Sequence, residues 1–164
     1  MLTLHVTLSF IGLLAGALAL IALCRGHRQP MWDAALLLST LLISLTGFPI
    51  PSPPGTPTPD PAVVVGVIEL VVVAVAAFAL YVRHATGAWR GIFVITMVLA
   101  TYLNYFVAVV QAFQKIGFLH DLAPTGKEPP FLIAQGVTLV LFVVIGIIAF
   151  RRFHVHTGQI LSPA

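Results

Sequence analysis

Five long apolar stretches dominate this chain and restrict it to folds that cross a membrane. They predict helices at about 2–24, 30–50, 61–82, 88–113 and 130–150. At a rise of about 1.5 Å per residue, such helices can span a hydrocarbon layer of about 30 Å. Because 59% of the residues are hydrophobic and only 8% are charged, the polar side chains could not cover a soluble domain. The sequence therefore predicts an all-α membrane protein, with residues 1–164 forming a single transmembrane bundle of five helices.

The basic residues are divided unequally between the two sides of this bundle. When successive connections are placed on alternate sides, six arginines share one side and two lysines lie on the other. The arginines are Arg25, Arg28, Arg83, Arg90, Arg151 and Arg152, and the lysines are Lys115 and Lys127. Since cytoplasmic loops carry the excess of basic residues, we predict the amino terminus outside and the carboxyl terminus in the cytoplasm.

The charge pattern indicates a lipid partner rather than a nucleic acid. The formal net charge of +3 comes from arginines at helix ends, where they can meet anionic lipid headgroups. The sequence has no clustered basic face of the kind that nucleic-acid binding requires. The single cysteine, Cys24, excludes an intrachain disulfide. We therefore expect the lipid bilayer as a partner and no nucleic acid.

Two glycines in the first helix, Gly12 and Gly16, lie four residues apart and so share one face. Small residues at this spacing allow another helix backbone to approach closely. The pattern favours packing within the chain over a homodimer contact, and it leaves self-association or packing against other membrane subunits open. The outer connection at residues 51–61 holds six prolines, which predicts an extended, stiff spacer.

Polar side chains are concentrated in the outer half of the predicted spans, and every helix contributes at least one. They are His5, Thr46, Glu69, Asn104, Tyr105, Gln111 and Gln135. The inner half consists almost entirely of aliphatic and aromatic residues with a few small hydroxyls, such as Ser39 and Thr40. We therefore predict an outward-open polar pocket that binds a ligand.

Glu69 is the most informative of these residues, because we take it to be the only carboxylate within a span. An ionised carboxylate at the centre of a transmembrane helix costs about 2.5 to 3.5 kcal/mol. Glu69 must therefore be protonated, paired or in contact with water. It either accepts protons or binds ligand near His5 or Asn104, or it hydrogen-bonds a neighbouring helix and has a structural role only.

The histidines raise the possibility of a b-type haem, which needs two imidazoles at one depth on facing helices. His5 is the only histidine within a predicted span, and its candidate partner on the same side, His120, lies in a loop. Haem or a quinone thus remains a possible cofactor. The sequence shows no Ser-His-Asp arrangement, glycine-rich phosphate loop or paired carboxylates at a spacing that would indicate an enzyme.

Several short segments resemble those of a group of small, uncharacterised integral membrane proteins of proteobacteria. They include Leu45-Thr46-Gly47-Phe48-Pro49, Gly87-Ala88-Trp89-Arg90, Tyr102-Leu103-Asn104 and Glu128-Pro129-Pro130-Phe131-Leu132. This resemblance implies a multi-pass protein of the bacterial cytoplasmic (inner) membrane, and it implies no activity.

Three functional hypotheses follow. The leading one is a non-enzymatic protein, either an accessory subunit of a larger membrane complex or a binder or carrier of a small lipophilic molecule such as a quinone or lipid. The second is a redox or proton-handling membrane component that uses His5 and Glu69 with haem or quinone. The third is a small transporter that acts as an oligomer.

Overall fold

The computed structural model describes residues 2–48 and 61–154, and this part of the chain is helical with no β-strand. The helices are α1 (Leu2–Cys24), α2 (Pro30–Gly47), α3 (Pro61–Ala77), α4 (Ala88–Lys115), α5 (Gly117–Leu122) and α6 (Pro129–Arg152). All except α5 are long and apolar enough to cross a membrane, when α3 is taken together with the turn that continues it to Val82. The prediction of five membrane-length helices is confirmed.

Proline marks the start of three helices. Pro30, Pro61 and Pro129 occupy the first positions of α2, α3 and α6. A proline is suited to this position because its missing N–H would have no partner within the helix and its φ is already helical. The structure differs from the predicted bounds at α4, which continues to Lys115, and in the following connection, which contains the short helix α5. The predicted proline-rich spacer and the predicted end of the second helix at residue 50 lie outside the described residues.

Helices α1 to α4 pack around a common interior, and α6 packs on the outside of α1 and α4. The apolar core lies towards the arginine-bearing ends of the helices, where Leu23, Leu36, Phe93 and Met97 are fully buried. Small residues such as Ala19 bring the helix backbones close together around these larger side chains. The interior of this half of the bundle is therefore apolar, and the hydrogen bonds between side chains of different helices lie in the other half.

Gly12 and Gly16 are both buried against helices of the same chain. A Cβ atom built on Gly16 would lie 2.6 Å from Cγ2 of Thr101 on α4. A Cβ atom on Gly12 would lie 3.2 Å from the Ser39 hydroxyl and 3.2 Å from the end of the Ile43 side chain, both on α2. The glycine face of α1 is thus used inside the bundle, where it permits the close approach of α2 and α4.

A π-helical turn, Phe78–Val82, ends the third span. The wider winding is visible in the bond from the Arg83 N–H to the carbonyl of Phe78, five residues earlier, at 3.1 Å. His84 and Ala85 then take left-handed backbone conformations with φ of 52° and 48°. This sequence of turns reverses the chain within five residues and leads it into α4 at Ala88.

Candidate functional site

Helix α2 is the centre of the polar contacts between helices. Three side-chain hydrogen bonds join it to α1, α3 and α4 in turn. Its contributing residues are Thr40, Ser44 and Thr46, of which Thr40 and Ser44 are buried. Thr40 and Ser44 lie one helical turn apart, so the bonds that join α2 to α4 and to α3 start from neighbouring positions on the same face of α2. Interhelical hydrogen bonds in membranes are typically worth about 0.6 kcal/mol each.

His5 and Thr46 are the pair of predicted site residues that the structure brings into direct contact. The His5 Nδ1 atom lies 3.1 Å from the Thr46 hydroxyl oxygen. That hydroxyl already donates its proton to the carbonyl of Leu42 at 2.7 Å. Since a hydroxyl has one proton to donate, the His5 Nδ1–H must be the donor to Thr46. The His5 ring is therefore fixed to α2 near the Gly47 end of that helix.

Glu69 is buried in the interior of the bundle, with 4% of its surface exposed. The Ser44 hydroxyl donates to Glu69 Oε2 at 3.1 Å, and Oε1 is buried without a hydrogen-bond partner. Within residues 2–48 and 61–154, no basic side chain forms an ion pair with it. One neutral hydrogen bond, worth roughly 0.5 to 1.5 kcal/mol, does not offset the cost of an ionised carboxylate at this depth. Glu69 joins α3 to α2 and keeps one oxygen available.

Asn104 joins α4 to α2 in a similar manner. Its Nδ2 donates to the Thr40 hydroxyl at 2.8 Å and to the carbonyl of Ala100, one turn earlier, at 3.1 Å. Its Oδ1 lies 3.8 Å from the position that a Cβ on Gly12 would occupy. Tyr105, the next residue, donates from its hydroxyl to the carbonyl of Leu13 on α1 at 3.4 Å. Both residues therefore hold α4 against the first two helices.

The remaining two predicted site residues lie apart from this cluster. Gln135 on α6 donates to the carbonyl of Phe106 on α4 at 3.2 Å, and its Oε1 is buried without a partner. Gln111 is exposed on the surface of the bundle. Glu69, Asn104, Tyr105 and Gln135 hydrogen-bond to residues outside the predicted set rather than to one another. In the part of the chain that the structure describes, no cluster of three or more metal-ligating side chains forms.

Asp33 is a buried carboxylate that the sequence reasoning missed. It lies in the first turn of α2, inside a membrane-length helix, so the prediction that Glu69 is the only carboxylate within a span is wrong. Its Oδ2 accepts a bond from Arg28 Nε at 2.9 Å, and the Arg28 guanidinium lies 5.5 Å from the ring centre of Phe93. A basic residue five positions before an aspartate at a helix start was the signal in the sequence. Thr40 was noted only as a small hydroxyl of the inner half, and Ser44 was not singled out, although their spacing of four residues is typical of a shared helix face.

At the arginine-bearing ends of the helices, arginine side chains donate hydrogen bonds to backbone carbonyls of other helices. Arg90 donates to the carbonyls of Phe150 and Phe153 at the end of α6. Arg152 donates to the carbonyl of Cys24 at the end of α1, at 3.5 Å. These carbonyls have no partner within their own helices, so the arginines satisfy them and neutralise the negative ends of the helix dipoles.

A lateral groove runs between α4 and α6. It extends along α4 from Ile95 to Tyr102 and along α6 from Leu139 to Arg151, with a volume of ≈ 620 Å³. Its walls consist almost entirely of apolar atoms, and its floor includes the edge-to-face rings of Tyr102 and Phe142, 5.8 Å apart. None of the seven predicted site residues lines it.

Comparisons with known proteins add no assignment. No family model matches the chain, and neither a curated protein nor a solved structure matches it. The resemblance to small membrane proteins of proteobacteria stays a prediction. The function must accordingly be inferred from the geometry of the bundle.

Proposed function

We propose that this is a non-enzymatic integral membrane protein that binds a lipophilic molecule from within the bilayer, in the lateral groove between α4 and α6. The observation that carries the proposal is the groove itself. It is lined by apolar atoms, and its volume of ≈ 620 Å³ falls in the range of roughly 300 to 1,000 Å³ that is typical of small-molecule sites. It opens sideways, where the hydrocarbon of a membrane would lie.

The buried polar residues support this placement of the site, because three of them form hydrogen bonds that join helices. His5, Glu69 and Asn104 each bond to a hydroxyl on α2. A ligand that entered between them would have to break these contacts. We therefore assign these three residues to holding α1, α3 and α4 around α2, and we assign ligand binding to the apolar groove.

A substitution that fills the groove tests this function. Gly146 lines the groove, and a Cβ at this position would make an ordinary contact with Val98 at 3.4 Å. We expect Gly146→Leu to reduce strongly the lipophilic material that co-purifies with the protein, measured by mass spectrometry. Gly136→Leu is the matched control, because Gly136 lies on the same helix, is exposed and has no neighbour within 4 Å. Equal amounts of bound material in both variants would refute the proposal.

We further propose that the amino terminus lies outside a bacterial cytoplasmic membrane, with the six arginines in the cytoplasm. The support is the division of six arginines against two lysines. Thr86 and Asp121 are exposed at opposite ends of the bundle and can each be replaced by cysteine in a Cys24→Ala protein. In intact cells, an impermeant thiol reagent should label position 121 and leave position 86 unlabelled. The reverse pattern would overturn the orientation.

A role as an accessory subunit is the second candidate, and the exposure of α6 favours it. In the most apolar segment of α6, only 6% of the residues are buried, against 39% in the corresponding segment of each of the other four spans. Large side chains such as Ile133, Val140 and Val144 on α6 are exposed. A photoreactive residue at position 140 should cross-link in native membranes to a protein if a subunit covers this face. Cross-linking to lipid alone would remove this candidate.

A further inference from the structure

The length of the lateral groove matches one leaflet of a bilayer. Arg151 is the twelfth residue after Leu139 on α6, which corresponds to about 18 Å along the helix. One leaflet contributes about half of a hydrocarbon layer of roughly 30 Å. Since Arg151 is the second-last residue of α6, the groove begins at the membrane surface and ends near the bilayer centre. A single extended hydrocarbon chain fits this length.

The chemistry of the walls limits what can lie inside. Because almost no polar atom faces the groove and Arg151 lies only at its end, the carbonyl groups of a quinone ring lying between the apolar walls would be poorly hydrogen-bonded. An acyl chain needs no such partner and gains free energy from apolar contact alone. The polar part of the ligand must therefore lie at one end, outside the apolar walls.

Arg151 stands at the surface end of the groove and is the charged residue among those that line it. In the described part of the chain, Arg90 and Arg152 are bound to backbone carbonyls, whereas Arg151 has no hydrogen bond or ion pair with the protein. No acidic side chain lines the groove to neutralise it. A guanidinium group in this position is suited to a phosphate, which it can bind through two parallel N–H donors.

We propose that the groove is a binding site for an anionic phospholipid of the leaflet at the arginine-bearing end, with an acyl chain between α4 and α6 and the phosphate group on Arg151. This inference rests on the proposed function and deepens it by naming the class of ligand. The charge on Arg151 selects the headgroup, and the apolar walls select the chain. A lipid bound in this way also fills the space between α6 and the rest of the bundle.

The test measures lipid binding to the delipidated, full-length protein by native mass spectrometry in detergent. The two probes are phosphatidylglycerol and phosphatidylcholine with identical acyl chains. Three variants are compared with the wild type: Arg151→Gln, Gly146→Leu and Arg25→Gln. Arg25 is the matched control, because it is exposed at the end of α1, at the arginine-bearing end, and does not line the groove. Thermal unfolding by circular dichroism establishes that each variant is folded.

We expect the wild type to bind phosphatidylglycerol roughly tenfold more tightly than phosphatidylcholine, because the choline cation of phosphatidylcholine offsets the charge of its phosphate and weakens the contact with Arg151. Arg151→Gln should abolish this preference, and it should weaken the binding of phosphatidylcholine less than that of phosphatidylglycerol. Arg25→Gln should keep the preference. Gly146→Leu should weaken the binding of both lipids, because it fills the apolar part of the site.

Failure of this inference can be distinguished from failure of the proposed function. If Arg151→Gln keeps the preference while Gly146→Leu weakens both lipids, the groove binds lipid but the phosphate lies elsewhere, and the inference fails alone. If Gly146→Leu binds both lipids like the wild type, the groove is not the site and both proposals fail. A lipid-free dimer that Gly146→Leu dissociates would show that a second copy of the chain covers the groove, and this result also refutes both.

Discussion

The close approach of α1 and α4 at Gly16 leads to our most specific prediction about stability. An added Cβ atom at this position would lie 2.6 Å from Cγ2 and 2.9 Å from Oγ1 of Thr101. Carbon atoms in favourable contact are about 3.5 to 4.0 Å apart, so the overlap in Gly16→Ala is roughly 1 Å. Thr101 is fully buried and its hydroxyl donates to the carbonyl of Met97 at 2.8 Å. Rotation of its side chain cannot remove the overlap, because both branches lie close to the added atom.

Gly16→Ala must therefore move one helix away from the other. Overpacking of this kind costs about 1 to 3 kcal/mol, and we expect a free energy of unfolding lower by about 2 kcal/mol. Gly12→Ala should cost less, because its added atom would meet the ends of side chains at 3.2 Å rather than a fixed branch. The measurement is reversible unfolding in mixed detergent micelles, followed by the fluorescence of Trp32 and Trp89.

Gly136→Ala provides the matched control for this comparison, because nothing lies within 4 Å of the added atom. Alanine is a better helix former than glycine by about 0.8 to 1.0 kcal/mol, so this change should be neutral or stabilising. The double variant Gly16→Ala/Thr101→Ala should recover at least 0.5 kcal/mol relative to the sum of the single changes, as expected for residues in contact. If Gly16→Ala is as stable as Gly136→Ala, the close packing of α1 on α4 is wrong.

Three further predictions concern the carboxyl groups. Glu69→Gln should have the same free energy of unfolding as the wild type, since an amide oxygen can still accept the bond from Ser44. In Glu69→Leu this free energy should be lower by about 0.5 to 1.5 kcal/mol. A large decrease in Glu69→Gln would show that the charge of Glu69 is structural. Arg28→Gln should lower the free energy of unfolding by about 3 kcal/mol, because it leaves the fully buried Asp33 carboxylate unpaired. The decrease in Asp33→Asn should be smaller. Equal unfolding curves for the two variants would contradict this prediction. Hydrogen bonds to the Glu128 carboxylate, of which that from the Thr125 hydroxyl has the largest effect, lower its pKa from 4.5 to about 2. Its contribution to stability should therefore be complete above pH 4.5 and be lost as the pH falls towards 2. Glu128→Gln should show a smaller loss over this range in acid unfolding curves.

The fold was largely predictable from the sequence because a bilayer leaves few alternatives. Apolar stretches of sufficient length must form helices, since backbone N–H and C=O groups have no water to bond within the hydrocarbon. The stretches around Leu13, Val73 and Phe142 therefore predicted three of the spans without any knowledge of their neighbours. Prolines at positions 30, 61 and 129 similarly marked helix starts through local backbone chemistry alone.

The contacts of the polar residues were not predictable in the same way. Depth along a helix could be counted from the sequence, and it placed Glu69, Asn104 and Gln135 in one half of the membrane. The direction of each side chain around its helix depends on how the helices are rotated and tilted against one another. The roles of Ser44, which donates to Glu69, and of Thr40, which accepts from Asn104, were therefore not predicted.

The groove shows this division between sequence and tertiary structure most clearly. Residues such as Val98, Leu139 and Gly146 are unremarkable as apolar positions in two spans that are far apart in the chain. Only the packing of α6 against α4 leaves space between them and puts Arg151 at its end. Hydrophobicity and backbone hydrogen bonding, which act locally, determined the helices and their number. The spaces between helices depend on the fit of side chains from different spans, and only the tertiary structure decided them.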